Sequence, residues 1–476
     1  MFITESHRIH LVGIKGTGMC AMAEFLHHEG VTITGSDTTE VFYTDALLSR
    51  IGVIPKVFSE FNINDEIDTV IYSAAYDPKV HNELVKAESL GIRMLSYPQA
   101  LGEISKTRLS ASICGVHGKT TTTGIAGTIA GALNLPAAII AGGAISSFNN
   151  SSILHFGEKI LIAETCEYRR HFLNYHPNFI LLTSVESDHQ DYYPDYASIR
   201  DAFLEFCMSL PLGGTLVYCR DDPGAVDVAT RINSLRDDLE IVSYGFSENA
   251  DIRINEHTFS DGLQKFKITL FPGIDFSIPI PGLHTILDFT GAMLLNTLLF
   301  KKVNGKAPSA GDIAQCVMAM GKFGGAKRRS EFIGAENNIY VYDDYGHHPT
   351  AIKKTLKGFR DFFPKRRIIV DFMSHTYSRT KALFNEFSEA FSDADIVVTH
   401  KIYASAREVR DTDISGKMLA NEIQKKTQKQ VLFFEEPLDA VDALADLLKP
   451  GDLFITMGAG NNWQIGTELM KRWKDS

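Results

Sequence analysis

Cysteine is scarce in this sequence and forms none of the patterns that bind metals or build disulfide frameworks. The 476 residues include six cysteines, and no two of them are arranged as a CxxC pair. This absence excludes a zinc ribbon and a thioredoxin-type redox motif. Most of the cysteines lie in apolar runs, which is typical of reduced thiols that pack inside a cytosolic protein.

The sequence also lacks a basic run and an apolar stretch of the length that a membrane span requires. Its formal net charge is −11, which argues against nucleic acid as the main partner but leaves room for anionic nucleotides in local pockets. A membrane-spanning helix needs about 20 apolar residues, and Arg8 and His10 interrupt the first apolar run, so we expect no signal peptide. We therefore expect a soluble cytoplasmic protein that binds neither membrane nor nucleic acid.

Alternating strand and helix patterns run through the whole chain. Hydrophobic residues make up 44% and charged residues 22%, which is enough for full apolar cores, and the length indicates about three domains. We predict the α/β fold class and a monomer or a homodimer. The predicted domains are an N-terminal Rossmann-like domain over residues 1–107, a central P-loop ATPase-like domain over 108–327 and a C-terminal Rossmann-like domain over 328–476.

A glycine-rich loop between a buried strand and a buried helix organises the centre of the chain. The loop reads Gly-Val-His-Gly-Lys-Thr-Thr-Thr-Thr over 115–123, after a strand predicted over 109–114. Backbone N–H groups and the positive end of a helix dipole at such a turn bind a phosphate chain. Lys119 would add a charge at the β- and γ-phosphates, and the Thr120 hydroxyl would bind Mg²⁺. The residues predicted to contact ATP here are Gly115, His117, Gly118, Lys119, Thr120 and Thr121.

A second glycine loop lies near the N-terminus. Residues 13–18 read Gly-Ile-Lys-Gly-Thr-Gly between a predicted strand and a predicted helix, and Asp37 follows the next strand. A dinucleotide-binding fold places glycines and an acid in such positions, so an NAD-dependent dehydrogenase is one candidate. The spacing is G-x-x-G-x-G, however, and a single glycine motif is weak grounds for a function. Plain turn glycines with a capping aspartate are the other interpretation.

Two central strands end in acidic residues and a histidine. Glu164 follows one predicted strand, and Asp188 and His189 follow the next. Ligands of open α/β sheets bind beyond the carboxyl ends of the strands, and Mg²⁺ takes oxygen ligands besides phosphate. These side chains are therefore candidate Mg²⁺ ligands and catalytic groups. A polar turn over 188–191 that caps the next helix is the alternative.

The C-terminal part places polar residues after its strands in the same way. Arg328 and Arg329 follow a glycine run and suit a phosphate clamp, with surface solvation as the other interpretation. Because four predicted strands each end in polar or glycine residues, we expect their ends to face one cleft. The segments after the strands are 343–349, 375–380, 402–408 and 458–460.

Taken together and in this order, the motifs resemble those of the Mur ligase family, the ATP-dependent amide-bond-forming enzymes of peptidoglycan precursor synthesis. The resemblance spans nearly the whole chain and is greatest to the branch that joins L-alanine to UDP-N-acetylmuramate. It implies these two substrates, ATP and Mg²⁺ as cofactors, an acyl-phosphate intermediate, and a part in cell-wall biogenesis, cell shape and cell division. The segments that carry it are 13–18, 35–37, 115–121, 164, 184–189, 328–329, 344–349, 375–380 and 403–408.

The resemblance also assigns roles to residues. The implied catalytic residues are Lys119, His189, His348 and Arg379, and the implied Mg²⁺ ligands are Thr120, Glu164 and His189. The implied ATP contacts outside the central loop are His284, Asp288, Arg328 and Asp344. The implied substrate contacts are Gly13, Gly16, Thr17, Gly18, Ser36 and Asp37 for the uridine nucleotide, and His375 and Arg379 for the amino acid.

Three departures from the family pattern stand out. The His-Asn-x-x-Asn signature of the adenine site reads His284-Thr-Ile-Leu-Asp288 in this chain, and the Glu-Ala-Asp-Glu stretch reads Glu164-Thr-Cys-Glu167. Several relatives that add later amino acids use a carbamylated lysine after the metal histidine. The corresponding stretch 196–212 contains no lysine, as in the alanine-adding branch.

Other functions stay open at the level of sequence. Within the family, the alternative is the ligase that joins the tripeptide L-Ala-γ-D-Glu-meso-diaminopimelate to UDP-N-acetylmuramate during wall recycling. A folylpolyglutamate synthase would share the ATP loop but lack the N-terminal uridine-nucleotide domain. An NAD-dependent dehydrogenase leaves Lys119 and Thr120 unexplained, and a non-catalytic ATP-binding regulator would show no amino-acid-dependent ATPase activity.

Overall fold

The chain folds into three α/β units, each built on its own sheet. The computed structural model describes residues 6–190, 192–260, 263–404 and 411–474. The predicted α/β class is confirmed by three sheets of mostly parallel strands with helices between them. Each sheet lies within one of the ranges 1–107, 108–327 and 328–476, whose boundaries stay a prediction.

The N-terminal unit has a five-stranded parallel sheet. Its strands are β1 (Arg8–Val12), β2 (Thr32–Asp37), β3 (Lys56–Val57), β4 (Thr69–Tyr72) and β5 (Arg93–Ser96), and its helices are α1 (Thr17–His28), α2 (Thr44–Arg50), α3 (Asn82–Ser89) and α4 (Tyr97–Lys106). The strand order is β3-β2-β1-β4-β5. All four pairings are parallel, so the carboxyl ends of β1 and β2 lie side by side.

The central unit has a ten-stranded mixed sheet. Its strands are β6 (Leu109–Cys114), β7 (Ala137–Ile145), β8 (Ser151–His155), β9 (Ile160–Glu164), β10 (Phe179–Leu182), β11 (Thr215–Cys219), β12 (Glu240–Gly245), β13 (Ile252–Ser260), β14 (Leu263–Ile268) and β15 (Phe276–Ile278). Its helices are α5 (Lys119–Ala132), α6 (Tyr196–Met208), α7 (Pro223–Leu235), α8 (Leu283–Asn304) and α9 (Ala310–Met320). The order is β15-β14-β13-β12-β11-β10-β6-β9-β7-β8, with β8, β14 and β15 antiparallel to their neighbours.

The C-terminal unit has a six-stranded sheet. Its strands are β16 (Glu331–Glu336), β17 (Ile339–Asp344), β18 (Arg367–Met373), β19 (Ile396–Thr399), β20 (Gln430–Phe433) and β21 (Asp452–Gly458). Its helices are α10 (Pro349–Phe362), α11 (Tyr377–Ala382), α12 (Phe384–Ser388), α13 (Gly416–Thr427), α14 (Val441–Leu447) and α15 (Trp463–Lys474). The order is β16-β17-β21-β18-β19-β20, and only the β16–β17 pair is antiparallel among these pairings.

Two elements differ from the sequence prediction. The C-terminal unit opens with the β16–β17 hairpin rather than with a βαβ unit, because a tight turn with Asn337 and Asn338 in the left-handed conformation joins the two strands. Helix α8 meets the length and hydropathy of a membrane span, with 22 residues and a mean hydropathy of 1.3, although no such stretch was predicted. It is 78% buried over its apolar window and is a core helix of the central unit.

The N-terminal and central units share one apolar core. A single cluster of buried side chains includes Phe25 of α1, Ala138 and Ile140 of β7 and Ile153 of β8. At its edge Glu29 accepts hydrogen bonds from Arg108 at 2.5 Å and from His155 at 2.8 Å. The C-terminal unit has separate cores, so we expect it to move relative to the other two more readily than they move relative to each other.

A buried polar network ties together three strands of the C-terminal sheet. His400 Nε2 lies 2.8 Å from Asp371 Oδ2, and His400 Nδ1 lies 3.1 Å from the Phe434 carbonyl. The Asn462 amide donates to Asp371 Oδ1 at 2.8 Å. Both partners of the imidazole are acceptors, so the protonated ring satisfies both. Burial by itself lowers the pKa of His400, but the Asp371 charge and these hydrogen bonds raise it above its ordinary value of 6.5.

This network predicts a stability that falls as pH rises. A raised pKa in the folded state means that the His400 contribution is complete below the ordinary histidine pKa and is lost as pH increases through the raised value. We expect the Tm of the parent protein to decrease as pH rises above the ordinary histidine pKa of about 6.5, and to decrease less in His400→Gln. Scanning fluorimetry measures both, with exposed His27→Gln as the control. Parallel pH profiles for His400→Gln and the parent would contradict the charged-ring assignment.

Candidate active site

A cleft opens between the central and C-terminal units, at the carboxyl ends of β6, β9 and β10. We call it the interdomain cleft. Its central wall includes residues 116–121, Glu164, Thr183, Ser184, Asp188, Asp221, Asp222, Tyr244, His284 and Asp288. Its C-terminal wall includes Arg329, Ser330, Asp344, His347, Ala351, Lys354 and Thr355. The structure thus brings the central glycine loop, the acidic strand ends and part of the C-terminal motifs to one place.

The glycine loop is held in shape by the end of β10. Gly115 (φ 139°) and Gly118 (φ 82°) have left-handed backbone conformations, which glycine adopts at low cost. A Cβ atom at Gly115 would lie 2.1 Å from Thr183 Oγ1. The Thr183 hydroxyl donates to the His117 carbonyl at 2.5 Å, and the His117 amide donates to Ser184 Oγ at 2.9 Å. The loop is therefore preorganised as an anion site.

Lys119 begins α5 and forms a buried ion pair with Glu167. Its ammonium donates to Glu167 Oε2 at 2.9 Å and to the Gly115 carbonyl at 2.5 Å. Burial by itself lowers the pKa of Lys119, but the Glu167 charge outweighs it and holds the pKa above its ordinary value. Burial would raise the pKa of Glu167, yet the Lys119 charge keeps it below its ordinary value. Both groups are therefore charged near neutral pH.

Glu167 has no role in the predictions from sequence. It is the last residue of the Glu164-Thr-Cys-Glu167 stretch, and the structure makes it the partner of Lys119. Glu167 precedes a 3₁₀ helix, Tyr168–Asn174, in which Arg169 and Arg170 have left-handed conformations. Glu167 lies at the start of this irregular turn, and no sequence pattern indicates that its carboxylate contacts Lys119.

The residues predicted to bind Mg²⁺ form an oxygen-rich corner of the cleft. Thr120 Oγ1 donates to Glu164 Oε1 at 3.0 Å, and the Gly142 amide donates to Glu164 Oε2 at 2.6 Å. His189, in a left-handed conformation with φ 54°, places Nε2 3.3 Å from Glu167 Oε1. A hydroxyl beside a carboxylate suits a hard cation, so Thr120 and Glu164 fit Mg²⁺. His189 contacts the second acid, Glu167, instead of Glu164.

His284 and Asp288 stand one helical turn apart at the start of α8. Burial raises the pKa of Asp288 to about 7 and lowers that of His284 to about 4. Within the described residues, Asp288 Oδ2 and His284 Nδ1 have no hydrogen-bond partner. A Cβ atom at Gly118 would lie 2.5 Å from Asp288 Oδ1. Buried polar atoms of this kind call for a polar ligand, which agrees with the predicted ATP contact.

Of the twin arginines, Arg329 and not Arg328 lines the cleft. Arg328 was predicted to contact ATP, but its guanidinium donates to Asp343 at 2.8 Å and to the Gly458 carbonyl at 2.7 Å. These bonds fix it inside the C-terminal unit. Asp344 lines the cleft as predicted, and its carboxylate accepts from the Ser330 amide at 2.7 Å.

The two histidines after β17 face different surroundings. His347 lines the cleft, whereas His348, the one predicted to be catalytic, is the N-cap of α10 and lies near His117 and Glu186. Alternate residues of an extended segment point to opposite sides, so the rings of His347 and His348 face different surroundings. Lys354 also lines the cleft, and no motif indicates this position because a lysine on a helix is normally a surface residue.

Arg379 reaches from the C-terminal unit to the central unit. Its Nη2 lies 3.1 Å from Asp188 Oδ1, with both side chains largely buried. Burial alone would raise the pKa of Asp188, but the Arg379 charge holds it well below its usual range. The His375 ring lies 6.2 Å from His347 and 5.9 Å from Tyr403, centroid to centroid. The predicted motif continues over 405–408, which lies outside the described residues.

The N-terminal glycine loop lies at the carboxyl ends of β1 and β2. Asp37 accepts hydrogen bonds from the Lys15 and Thr38 amides, each at 2.7 Å. Ser36 is fully buried and its hydroxyl donates to Glu83. The Ser36 hydroxyl is therefore bonded in the interior, and a substrate contact of Ser36 stays a prediction. The predicted contacts Gly13, Gly16, Thr17 and Gly18 form the turn and the first residues of α1.

The site combines a preorganised glycine loop, a lysine at the start of the following helix and an oxygen-rich strand end. These features define a P-loop nucleotide-binding enzyme. The chain matches "Mur ligase family, catalytic domain" over residues 8–108, "Mur ligase middle domain" over 113–295 and "Mur ligase, glutamate ligase domain" over 328–460. This chain belongs to the Mur ligase family.

Curated relatives match almost the full length. The chain is 46% identical to the UDP-N-acetylmuramate–L-alanine ligase of Treponema pallidum, over 98% of this chain and 97% of that one. It is 38% identical to the enzyme of the same name from Borreliella burgdorferi, over 96% and 97%. A solved UDP-N-acetylmuramate–alanine ligase from Thermotoga maritima has the same fold, with a TM-score of 0.78 at 23% identity over 98% and 99% of the two chains.

The geometry of Lys119 predicts the effect of its removal on nucleotide binding. A charged hydrogen bond contributes about 1.5–3 kcal/mol, so we expect Lys119→Ala to weaken ATP binding by roughly ten- to a hundredfold. Lys159→Ala, which removes an exposed lysine of the same unit, is the matched control and should bind ATP normally. Isothermal titration calorimetry measures both. Normal ATP affinity in a folded Lys119→Ala protein would place the phosphates elsewhere.

Proposed function

We propose that this protein is an ATP-dependent ligase that joins the lactyl carboxylate of UDP-N-acetylmuramate to the amine of L-alanine in the synthesis of peptidoglycan precursors. The observation that carries this proposal is the 46% identity to a UDP-N-acetylmuramate–L-alanine ligase over 98% of the chain. The proposal is also supported by the charged groups of the interdomain cleft. Lys119 and Glu164 line the cleft, and Arg379 lies beside it.

The reaction needs an activated carboxyl group, because a carboxylate is a poor electrophile. A carboxylate oxygen attacks the γ-phosphorus of ATP, the bond to the β-phosphate oxygen breaks, and ADP leaves. The amine of the amino acid then attacks the acyl-phosphate carbonyl. The tetrahedral intermediate collapses with loss of phosphate, and the amine gives up a proton to leave the amide. Both steps place negative charge on oxygens that the enzyme must stabilise.

The reaction requires stabilisation of negative charge on the phosphates and exclusion of water, and residues of this chain suit both requirements. The loop amides and the Lys119 ammonium are placed to stabilise charge on the phosphates. Thr120, Glu164 and His189 would hold Mg²⁺, which neutralises phosphate oxygens when bound. Arg329 and Lys354 bring further positive charge from the opposite wall. Bringing the C-terminal wall against the central wall excludes water, which would otherwise hydrolyse the acyl phosphate.

The amino acid would bind where the C-terminal unit meets Asp188. In the structure the Arg379 guanidinium is bonded to Asp188, and its Nε has no partner among the described residues. An amino-acid carboxylate offers the planar acceptor pair that a guanidinium prefers. The amine could then pair with Asp188, which Arg379 releases. His375 stands beside this position through its contact with His347.

The uridine nucleotide would bind at the N-terminal glycine loop. Asp37 holds the Lys15 amide, so its role is to fix the loop, and residues 13–18 offer backbone groups and the start of α1 to a diphosphate. We place the three domains at 1–107, 108–327 and 328–476, the enzyme in the cytoplasm, and its state as a monomer or homodimer. The net charge of −11 agrees with small-molecule partners rather than nucleic acid.

Phosphate release tests the proposal directly. The enzyme is supplied with UDP-N-acetylmuramate, ATP and Mg²⁺, and then with L-alanine, glycine, L-serine or the tripeptide L-Ala-γ-D-Glu-meso-diaminopimelate in turn. We expect the highest kcat/KM with L-alanine and weaker activity with glycine and L-serine, since one methyl or hydroxyl changes binding only modestly. Turnover with the tripeptide alone would instead identify the recycling ligase.

The position of Arg379 predicts how its removal changes the KM for L-alanine. Losing a bidentate charged pair costs about 1.5–3 kcal/mol, so Arg379→Ala should raise the KM for L-alanine by roughly ten- to a hundredfold. The KM values for ATP and UDP-N-acetylmuramate should change far less. Arg379→Lys should recover only part of the loss, because an ammonium lacks the planar fork. Steady-state kinetics with each substrate varied in turn gives the answer, and a larger rise in the KM for ATP would place Arg379 at the phosphates.

A further inference from the structure

Two histidines and a glutamate meet at the junction of the central and C-terminal units, outside the oxygen-rich corner. His117 belongs to the glycine loop, Glu186 follows β10, and His348 is the N-cap of α10. One ligand atom from each of the three lies within 4.8 Å of the other two. The proposed reaction assigns no task to Glu186, and the cleft-lining histidine of the C-terminal unit is His347. The cluster therefore needs an explanation of its own.

The contacts within the cluster converge on one oxygen atom. His117 Nε2 contacts Glu186 Oε1, and His348 Nδ1 lies 3.9 Å from the same oxygen. The two imidazole rings are 5.5 Å apart, centroid to centroid. His348 is only 7% exposed, and its Nε2 has no hydrogen-bond partner among the described residues. His348 Nδ1 accepts only a long hydrogen bond, 3.4 Å from the Thr350 amide, so its lone pair is available to a cation that it shares with the carboxylate.

The charge states and the second contact of Glu186 suit metal ligation. Burial lowers the pKa of His348, so its ring is neutral near pH 7. Burial would raise the pKa of Glu186, but the hydrogen bond with His117 outweighs it and holds the pKa below its ordinary value, so the carboxylate is ionised. Thr350 Oγ1 donates to Glu186 Oε2 at 3.1 Å. This bond fixes the carboxylate and leaves Oε1 for the cluster, as second contacts of ligating carboxylates do.

We propose that His117, Glu186 and His348 form a binding site for a divalent transition-metal ion such as Zn²⁺ or Co²⁺. Two imidazoles and a carboxylate are a ligand set that such ions take, with the fourth position open. Mg²⁺ prefers oxygen ligands, so this site is separate from Thr120 and Glu164. A bound ion connects the glycine loop to α10 and thereby holds the C-terminal unit against the central unit.

Cobalt absorption spectroscopy tests the site without reference to catalysis. Co²⁺ is titrated into the full-length, nucleotide-free protein in a large excess of Mg²⁺. We expect visible d–d bands that saturate near one equivalent and that Zn²⁺ abolishes. Glu186→Gln and His348→Asn should lose the bands. His189→Asn, which alters the Mg²⁺ corner, and His27→Asn, at an exposed position, should keep them.

A thermal measurement gives a second, independent readout. Zn²⁺ at about a hundredfold over its Kd should raise the Tm of the parent protein by a few degrees, and the shift should be absent in Glu186→Gln, whose side chain keeps the shape of glutamate. Absence of d–d bands in the parent, or bands that survive both Glu186→Gln and His348→Asn, would overturn the proposal. Loss of the bands in His189→Asn would assign the ion to the Mg²⁺ corner instead.

Discussion

The buried ion pair between Lys119 and Glu167 is the constraint on which the rest of the site depends. Lys119 lies largely buried at the start of a helix, and without an acidic partner its charge would be costly to bury. Glu167 supplies that partner from the turn after β9, and His189, after β10, contacts the same carboxylate. Because β10, β6 and β9 are neighbours in the sheet, one ion pair connects three adjacent strand ends. The ion pair with Glu167 keeps Lys119 charged and in place. A phosphate that enters the loop then competes with Glu167 for the Lys119 ammonium.

The joints between the three units differ in physical character, and the difference suits a ligase. The N-terminal and central units share an apolar core through α1, β7 and β8, so the two glycine loops keep a fixed relation. The C-terminal unit meets the central unit through polar pairs such as Arg379 with Asp188 and Thr350 with Glu186. Such contacts are easier to break and remake than an apolar core. Substrates can therefore enter through this joint, and its closure shields the reactive intermediate.

The sequence was informative where local pattern and chemistry coincide. The strand–glycine loop–helix order predicted the loop that the structure places at the cleft, and strand ends predicted where Glu164, Asp188 and His189 gather. The features that sequence did not indicate have a common cause. Whether Arg328 or Arg329, and whether His347 or His348, faces the cleft depends on which side of an extended segment points inward, and tertiary packing decides that. The bond of Ser36 to Glu83 joins residues that are distant in sequence, and so does the ion pair of Glu167 with Lys119.

In the proposed mechanism the lactyl carboxylate of the substrate attacks ATP at the phosphate loop. Transfer of oxygen-18 from that carboxylate to phosphate distinguishes this route from others. UDP-N-acetylmuramate labelled in both carboxylate oxygens is converted with ATP and L-alanine, and the released phosphate is analysed by mass spectrometry. An acyl phosphate requires that one carboxylate oxygen leave with the phosphate, so we expect one oxygen-18 atom in each phosphate and one in the amide. Phosphate without the label would rule out the acyl phosphate, because the carboxylate would then have been activated in some other way.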